Sequence, residues 1–255
     1  MLRLDSLSVG YGGVRGRVLG DLNVTVAPGS FVCVLGRNGA GKSTLMRTLA
    51  ALQPALGGAA LLADEDIAAM RPQTRARRVA VVLTERAGSP GLTVHDVVSL
   101  GRQPFTGWQG RLSADDRAAV AAALEAAGAA AFAGRLFDDL SDGERQRVMI
   151  ARAIAQAPRL MILDEITAFL DLPGRVETMA LLRDHCRATG AIILLSSHDL
   201  DLSLQLADSV WLLDGSGGLA VGPASDLIAA GRIGAAFDTA AVRFSASLGR
   251  FELVR

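Results

Sequence analysis

Five consecutive apolar residues, Phe31–Leu35, run straight into Gly36-Arg37-Asn38-Gly39-Ala40-Gly41-Lys42-Ser43-Thr44. A strand that is apolar at every position is covered on both faces, as in a parallel sheet with layers packed over it. The glycines force a tight turn, and the chain restarts as a helix near Lys42. A buried strand, a glycine-rich turn and a helix in immediate succession point to an α/β fold. The spacing is GxxxxGK[ST], in which consecutive backbone N–H groups and the positive end of the helix dipole converge on phosphate oxygens. Lys42 is then placed to reach β- and γ-phosphates, and Ser43 to bind Mg²⁺.

Composition sharpens this reading at one position. Lys42 is the only lysine among 26 basic residues, so every other basic residue is an arginine. A compact ammonium is kept where a flat guanidinium fork does not serve. Lys+Arg and Asp+Glu balance at 26 each, which argues against a nucleic-acid binder or a partner of anionic membranes. Two cysteines, Cys33 and Cys186, are too few for a disulfide scaffold, and a reducing, cytosolic setting is expected. The start, Met1-Leu2-Arg3-Leu4-Asp5, lacks an apolar signal region, and no clean apolar stretch is long enough to cross a bilayer.

Along the chain, residues 2–9 and 22–26 alternate as strands before the turn at Pro28-Gly29. Helices are expected over 93–100, from Ser113 through the Ala-rich run, from Ser141 to about Gln156, and over 173–188. Buried strands are expected at 160–163 and 192–196, a hairpin over 210–221 and a strand pair within 244–254. His95 and His185 read as helix-surface residues, Cys33 as strand core, and Arg75-Ala76-Arg77-Arg78 as a solvated face.

Two further segments carry chemistry. Leu160-Met161-Ile162-Leu163-Asp164-Glu165 ends an apolar strand on two acids, where α/β folds place ligands. Asp164 suits a Mg²⁺ shell and Glu165 an attacking water; a solvated acidic turn is the plainer reading. Leu140-Ser141-Asp142-Gly143-Glu144-Arg145-Gln146 contains an S-x-x-E capping box. The same helix start offers unpaired N–H groups to an anion, and Gly143 permits close approach.

Together these segments resemble the ATP-binding subunits of ABC transporters. Leu140 to Gln146 is similar to the family signature LSGGQ, as the variant LSDGE. Residues 163–171 resemble the Walker B segment running into the D-loop, with Ile166 in place of the usual proline. Ser196-Ser197-His198-Asp199 resembles the switch-histidine loop, and Tyr11 falls where the family places an aromatic under adenine. The motifs occur in family order over almost the whole chain.

The resemblance implies a phosphate-loop ATPase core with a mixed sheet, an N-terminal antiparallel β subdomain and an inserted helical subdomain. The expected division is a core of about 1–87 and 158–255 and a helical part of about 88–157. It implies ATP and Mg²⁺ as ligands. Catalytic roles fall to Lys42, Glu165 and His198. Nucleotide contacts fall to Tyr11, to Gly36, Arg37, Asn38, Gly39, Ala40, Gly41, Lys42, Ser43 and Thr44, and to Ser141, Asp142, Gly143 and Glu144. Metal contacts fall to Ser43, Glu85 and Asp164. Asp171 is implied at a head-to-tail interface with a second copy, in which Ser141 of one copy closes on ATP at Lys42 of the other.

One departure stands out: Glu85 occupies the position at which the family carries a glutamine that meets Mg²⁺. A carboxylate either takes over that ligation or slows ATP capture by its charge. Gly101-Arg102-Gln103-Pro104-Phe105 resembles the G-R-x-P stretch of importer ATPases for ferric siderophores, haem and cobalamin. The resemblance thereby implies two permease subunits, an extracytoplasmic binding protein, and a place on the cytoplasmic face of the inner membrane. Iron-chelate import is the first expectation and cobalamin or haem import the second. A soluble ABC ATPase serving translation, DNA repair or iron–sulfur assembly, and an ATP-gated module with little turnover, are the other classes.

Overall fold

The computed structural model describes residues 1–12, 16–83, 91–168 and 170–254. Among these residues, the central six-stranded sheet has the order β10-β9-β3-β8-β7-β6. Its strands are β3 (Phe31–Leu35), β6 (Val79–Val82), β7 (Leu160–Asp164), β8 (Ile192–Ser196), β9 (Ser209–Leu213) and β10 (Leu219–Gly222). All neighbours are parallel except β10, which returns antiparallel along β9 as the expected hairpin. A second, antiparallel sheet holds β1 (Leu2–Gly10), β2 (Arg17–Val26), β4 (Gly57–Leu62) and β5 (Glu65–Asp66) in the order β2-β1-β4-β5.

The continuous apolar runs follow from this layering. In β3, Phe31 and Cys33 enter one hydrophobic cluster while Val32 and Val34 enter another. Strands β7 and β8 alternate likewise, Met161, Leu163, Ile193 and Leu195 against Leu160, Ile162, Ile192 and Leu194. One face is covered by the antiparallel sheet and by α1 (Lys42–Leu49). The other is covered by α3 (Val94–Ser99), α5 (Asp142–Ala155) and α6 (Leu172–Thr189), with α4 (Ala114–Ala126) packed on α3 and α5. Each side chain so buried contributes about 1.5–3 kcal/mol.

Helices α3, α4 and α5 each start on a reciprocal capping box: Thr93 with Asp96, Ser113 with Asp116, and Ser141 with Glu144. Asp171 caps α6, which ends on Gly190 in the left-handed conformation.

Several features lie outside the sequence reading. These are β4, β5, α2 (Pro72–Arg78), α7 (Leu200–Leu206), α8 (Ala224–Ala229) and α9 (Arg232–Phe237). They are short, or Gly/Ala-rich, and take their conformation from tertiary partners. The terminal pair, β11 (Val242–Ser245) and β12 (Arg250–Leu253), is antiparallel as expected, and Phe251 packs edge-on to Phe237 and Phe244.

Two sequence readings are corrected. His185 is half-buried on α6 rather than on its surface, and burial lowers its pKa. The arginines of α2 are not merely solvated: Arg78 pairs with Glu65, and Arg77 donates to Pro104 O at 2.8 Å. His95 is exposed and Cys33 is strand core, as read.

Candidate functional site

The order β3-β8-β7 puts the carboxyl ends of three parallel strands side by side. Ser196, the last residue of β8, is flanked by Val34 of β3 and Asp164 of β7. The glycine loop leaves β3, Glu165 leaves β7, and His198 follows β8. The three segments picked from the sequence therefore meet at one edge of the sheet, where open α/β sheets bind ligands.

The loop conformation depends on two glycines. Gly41, the residue before α1, has φ 104°, and a Cβ there would run into Val18. Gly39 has φ 82°, and the space where its Cβ would stand is open. Arg37, Asn38 and Ser43 are exposed at the mouth, whereas Ala40 and Thr44 are buried. Lys42 is buried at the base and donates from Nζ to Gly36 O at 2.9 Å. Desolvation lowers its pKa, while the carboxylates of Glu165 and Asp164 act in the opposite sense. The ammonium thus feels both acids of the β7 end.

Those acids are held differently. Asp164 is 4% exposed and accepts a hydrogen bond from Ser196 Oγ. Glu165 donates its N–H to the same hydroxyl at 2.9 Å, so Ser196 joins the two residues. Glu165 lies at φ 53°, a left-handed conformation unusual for a side chain of its size. That turn directs its carboxylate to His198, whose Nε2 lies 2.6 Å from Oε1. Ile166, which replaces the family's proline, is buried in the core beneath. The role of Ser196 was missed; its signal was a polar residue closing the run Ile-Ile-Leu-Leu.

Tyr11, at the end of β1, is 37% exposed and its hydroxyl lies 3.2 Å from Thr44 Oγ1, which ties it to the first turn of α1. The Ser141 box is closed: Ser141 N–H and Oγ both bond Glu144 Oε2 at 2.8 Å, and Arg135 holds Oε1 at 2.7 Å. These contacts, Ser141 first, keep the Glu144 carboxyl below its ordinary pKa. Glu144 is thus spent on the helix start. Asp142 is exposed, and Gly143 sits over Leu170. Glu85 lies outside the described residues.

The stretch Gly101-Arg102-Gln103-Pro104-Phe105 forms a 3₁₀ turn after α3. A Cβ at Gly101 would collide with Arg152 O of α5. Arg102 bonds Asp116 at 2.9 Å and Ala155 O at 2.8 Å, and its guanidinium lies 3.9 Å from the Phe105 centroid. These residues bind α3, α4 and α5 together.

A glycine-rich loop, a buried ammonium, and a carboxylate poised beside a histidine fit phosphoanhydride hydrolysis. Comparison with known proteins agrees. The family model described as ABC transporter matches residues 19–168. An uncharacterised ABC transporter ATP-binding protein of Methanocaldococcus jannaschii is 36% identical over 99% of this chain and 87% of its own length. The iron(3+)-hydroxamate import ATP-binding protein of Bacillus subtilis is 38% identical over 78% of this chain and 74% of its own. A chain of an ABC transporter described as metal-chelate type, solved in an inward-facing conformation, superposes with a TM-score of 0.80 at 25% identity, covering 92% of this chain and 88% of that one. The chain belongs to the ATP-binding subunits of ABC transporters. It is an ATP-binding, ATP-hydrolysing enzyme.

Proposed function

We propose that this chain powers import of an iron chelate, a ferric siderophore, through two permease subunits served by an extracytoplasmic binding protein. The observation that carries the ATPase half is the convergence of Lys42, Glu165 and His198 at the adjacent ends of β3, β7 and β8. The importer half rests on the Gly101-Arg102-x-Pro104 stretch and on relatives named for siderophore transport in Bacillus subtilis and for iron-hydroxamate import.

The loop amides of residues 36–44 and Lys42 bind the triphosphate, and Tyr11 packs against adenine. Ser43 and Asp164 are hard oxygen donors suited to Mg²⁺, which keeps most of its shell from phosphate and water and so needs only one or two protein ligands. Held by these residues, Mg²⁺ would supply charge neutralisation to the phosphates. Glu85 takes the place of the glutamine in that shell. Glu165 orients and deprotonates the attacking water, and His198 holds the Glu165 carboxylate while contacting the γ-phosphate.

Residues 88–157 act as a helical subdomain that receives the permease. Two copies pair head to tail, with the helix start at 141–144 of each closing on the other's nucleotide, and Asp171 at the interface. No described helix is long and apolar enough to cross a membrane. By its likeness to the ATP-binding subunits of membrane transporters, the chain works as a peripheral subunit at the cytoplasmic face of the inner membrane.

Uptake of labelled ferric siderophore, haem and cobalamin by cells with and without the gene tests the reading. Loss of siderophore uptake alone supports it; loss of haem or cobalamin uptake alone moves the assignment to that cargo. Unchanged uptake of all three refutes it.

A further inference from the structure

The 165–171 segment that carries Glu165 and the 197–199 segment that carries His198 are joined a second time, away from the reacting groups. Arg175, in the first turn of α6, donates from Nε to Leu170 O at 3.1 Å and from Nη1 to Asp199 Oδ2 at 2.9 Å. Asp199 directly follows His198. It is also fixed by its own environment: Oδ1 accepts from Leu202 N at 3.1 Å as the cap of α7, and its N–H bonds Ser197 Oγ at 3.0 Å. Asp171 holds the other segment, with Oδ1 accepting from Gly174 N at 3.0 Å at the start of α6. Arg175 and Asp199 line the same cleft as Glu165 and His198.

We propose that Arg175 is a positioning residue for hydrolysis: its fork clamps Leu170 O and Asp199 together and thereby sets how His198 meets Glu165. The inference rests on the roles proposed above for Glu165 and His198. One guanidinium spans two backbone segments that each run into a helix, α6 and α7, and both helices are capped by residues it grips or adjoins, Asp199 and Asp171. The Asp199 side chain is 13% exposed, so solvent substitutes poorly for the guanidinium. A lysine can answer Asp199 but cannot also hold Leu170 O in the same plane. Geometry at the reacting groups is what this clamp controls, and small displacements there cost up to about a hundredfold in rate. Nucleotide affinity, which depends on the loop after β3, is not its target.

The test is phosphate release and ATP affinity for Arg175→Ala, Arg175→Lys, Asp199→Asn and the double variant Arg175→Ala/His198→Ala. Asn keeps the cap of α7 and removes only the charge. Arg175→Ala and Asp199→Asn are expected to lower kcat about tenfold with ATP Kd within about twofold, and Arg175→Lys to recover at least about a third of the loss. In the His198→Ala background, Arg175→Ala is expected to cost nothing further, because the contact it governs is gone. Wild-type kcat in Arg175→Ala, or the same tenfold loss in both backgrounds, overturns the proposal. So does a kcat loss that vanishes on cooling well below the variant's Tm, which marks a purely structural role. If His198→Ala and Glu165→Gln both hydrolyse ATP at the wild-type rate, the underlying reading of the site falls as well, and this pattern distinguishes the two failures.

Discussion

Replacing Arg102 by Ala tests why the turn after α3 carries the residues it does. Arg102 and Asp116 are 12% and 8% exposed, and the guanidinium also serves Ala155 O and lies over Phe105. Truncation leaves a buried carboxylate and a buried carbonyl without that partner. Removing one member of a buried pair costs about 3–5 kcal/mol. Asp116 retains the N–H and O–H of Ser113, at 2.9 and 2.7 Å, which places the expected loss near the lower end, about 3 kcal/mol. For a chain of this size each kcal/mol lowers Tm by about 2–4 °C, so a fall of about 6–12 °C is expected by calorimetry.

The same variant carries a pH signature. Ser113 first, and Arg102 after it, hold the Asp116 carboxyl at about 2, below its ordinary value of 3.8. A depressed carboxyl stabilises the fold above its unfolded pKa, and that contribution is lost as pH falls through the folded pKa. The stability gap between parent and Arg102→Ala should therefore be full near neutral pH. It should narrow as pH drops from 3.8 toward 2. Urea titrations above and within that window measure it. A Tm within about 2 °C of the parent, or a gap that does not narrow, refutes the reasoning.

Lys42→Ala removes the only lysine, the residue proposed to bind the triphosphate, and ATP affinity measured by calorimetry should fall at least about a hundredfold, close to 3 kcal/mol. Gly41→Ala must force a left-handed backbone and push on Val18, for an expected loss of about 2–4 kcal/mol. Adding Val18→Ala should return the steric part, and chemical denaturation of the three proteins would contradict this if the double variant is no more stable than Gly41→Ala. Asp142→Gly removes an exposed carboxylate from the start of α5, so light scattering should find tighter ATP-dependent pairing of two copies, and unchanged or weaker pairing would count against the head-to-tail arrangement.

Much of this architecture was legible because its cause is local or periodic. Strands β3, β7 and β8 are buried on both faces, so their apolar runs are unbroken and their ends are sharp. Helices α3, α4 and α5 announce themselves through Thr93, Ser113 and Ser141, each with an acid three residues on. The phosphate loop was readable because its glycines and lone lysine answer to backbone geometry and charge. Long-range pairing is another matter. The polar end of the Ile-Ile-Leu-Leu run singles out Ser196 but not its partners, Asp164 and Glu165, since 31 or 32 residues separate them. Arg102 was singled out by its motif, yet its contacts with Asp116 and Ala155 exist only once α4 and α5 are packed. Arg175 looked like one arginine among many, and only the adjacency of β7 and β8 brings it to Asp199.

Phosphate release by Glu165→Gln, measured beside its ATP affinity, tests the site most directly. A carboxamide keeps the shape of the side chain and loses the base, so release should fall at least about a hundredfold while ATP Kd stays within about threefold. Release near the parent rate, with ATP still bound, would contradict the assignment of Glu165 to the attacking water.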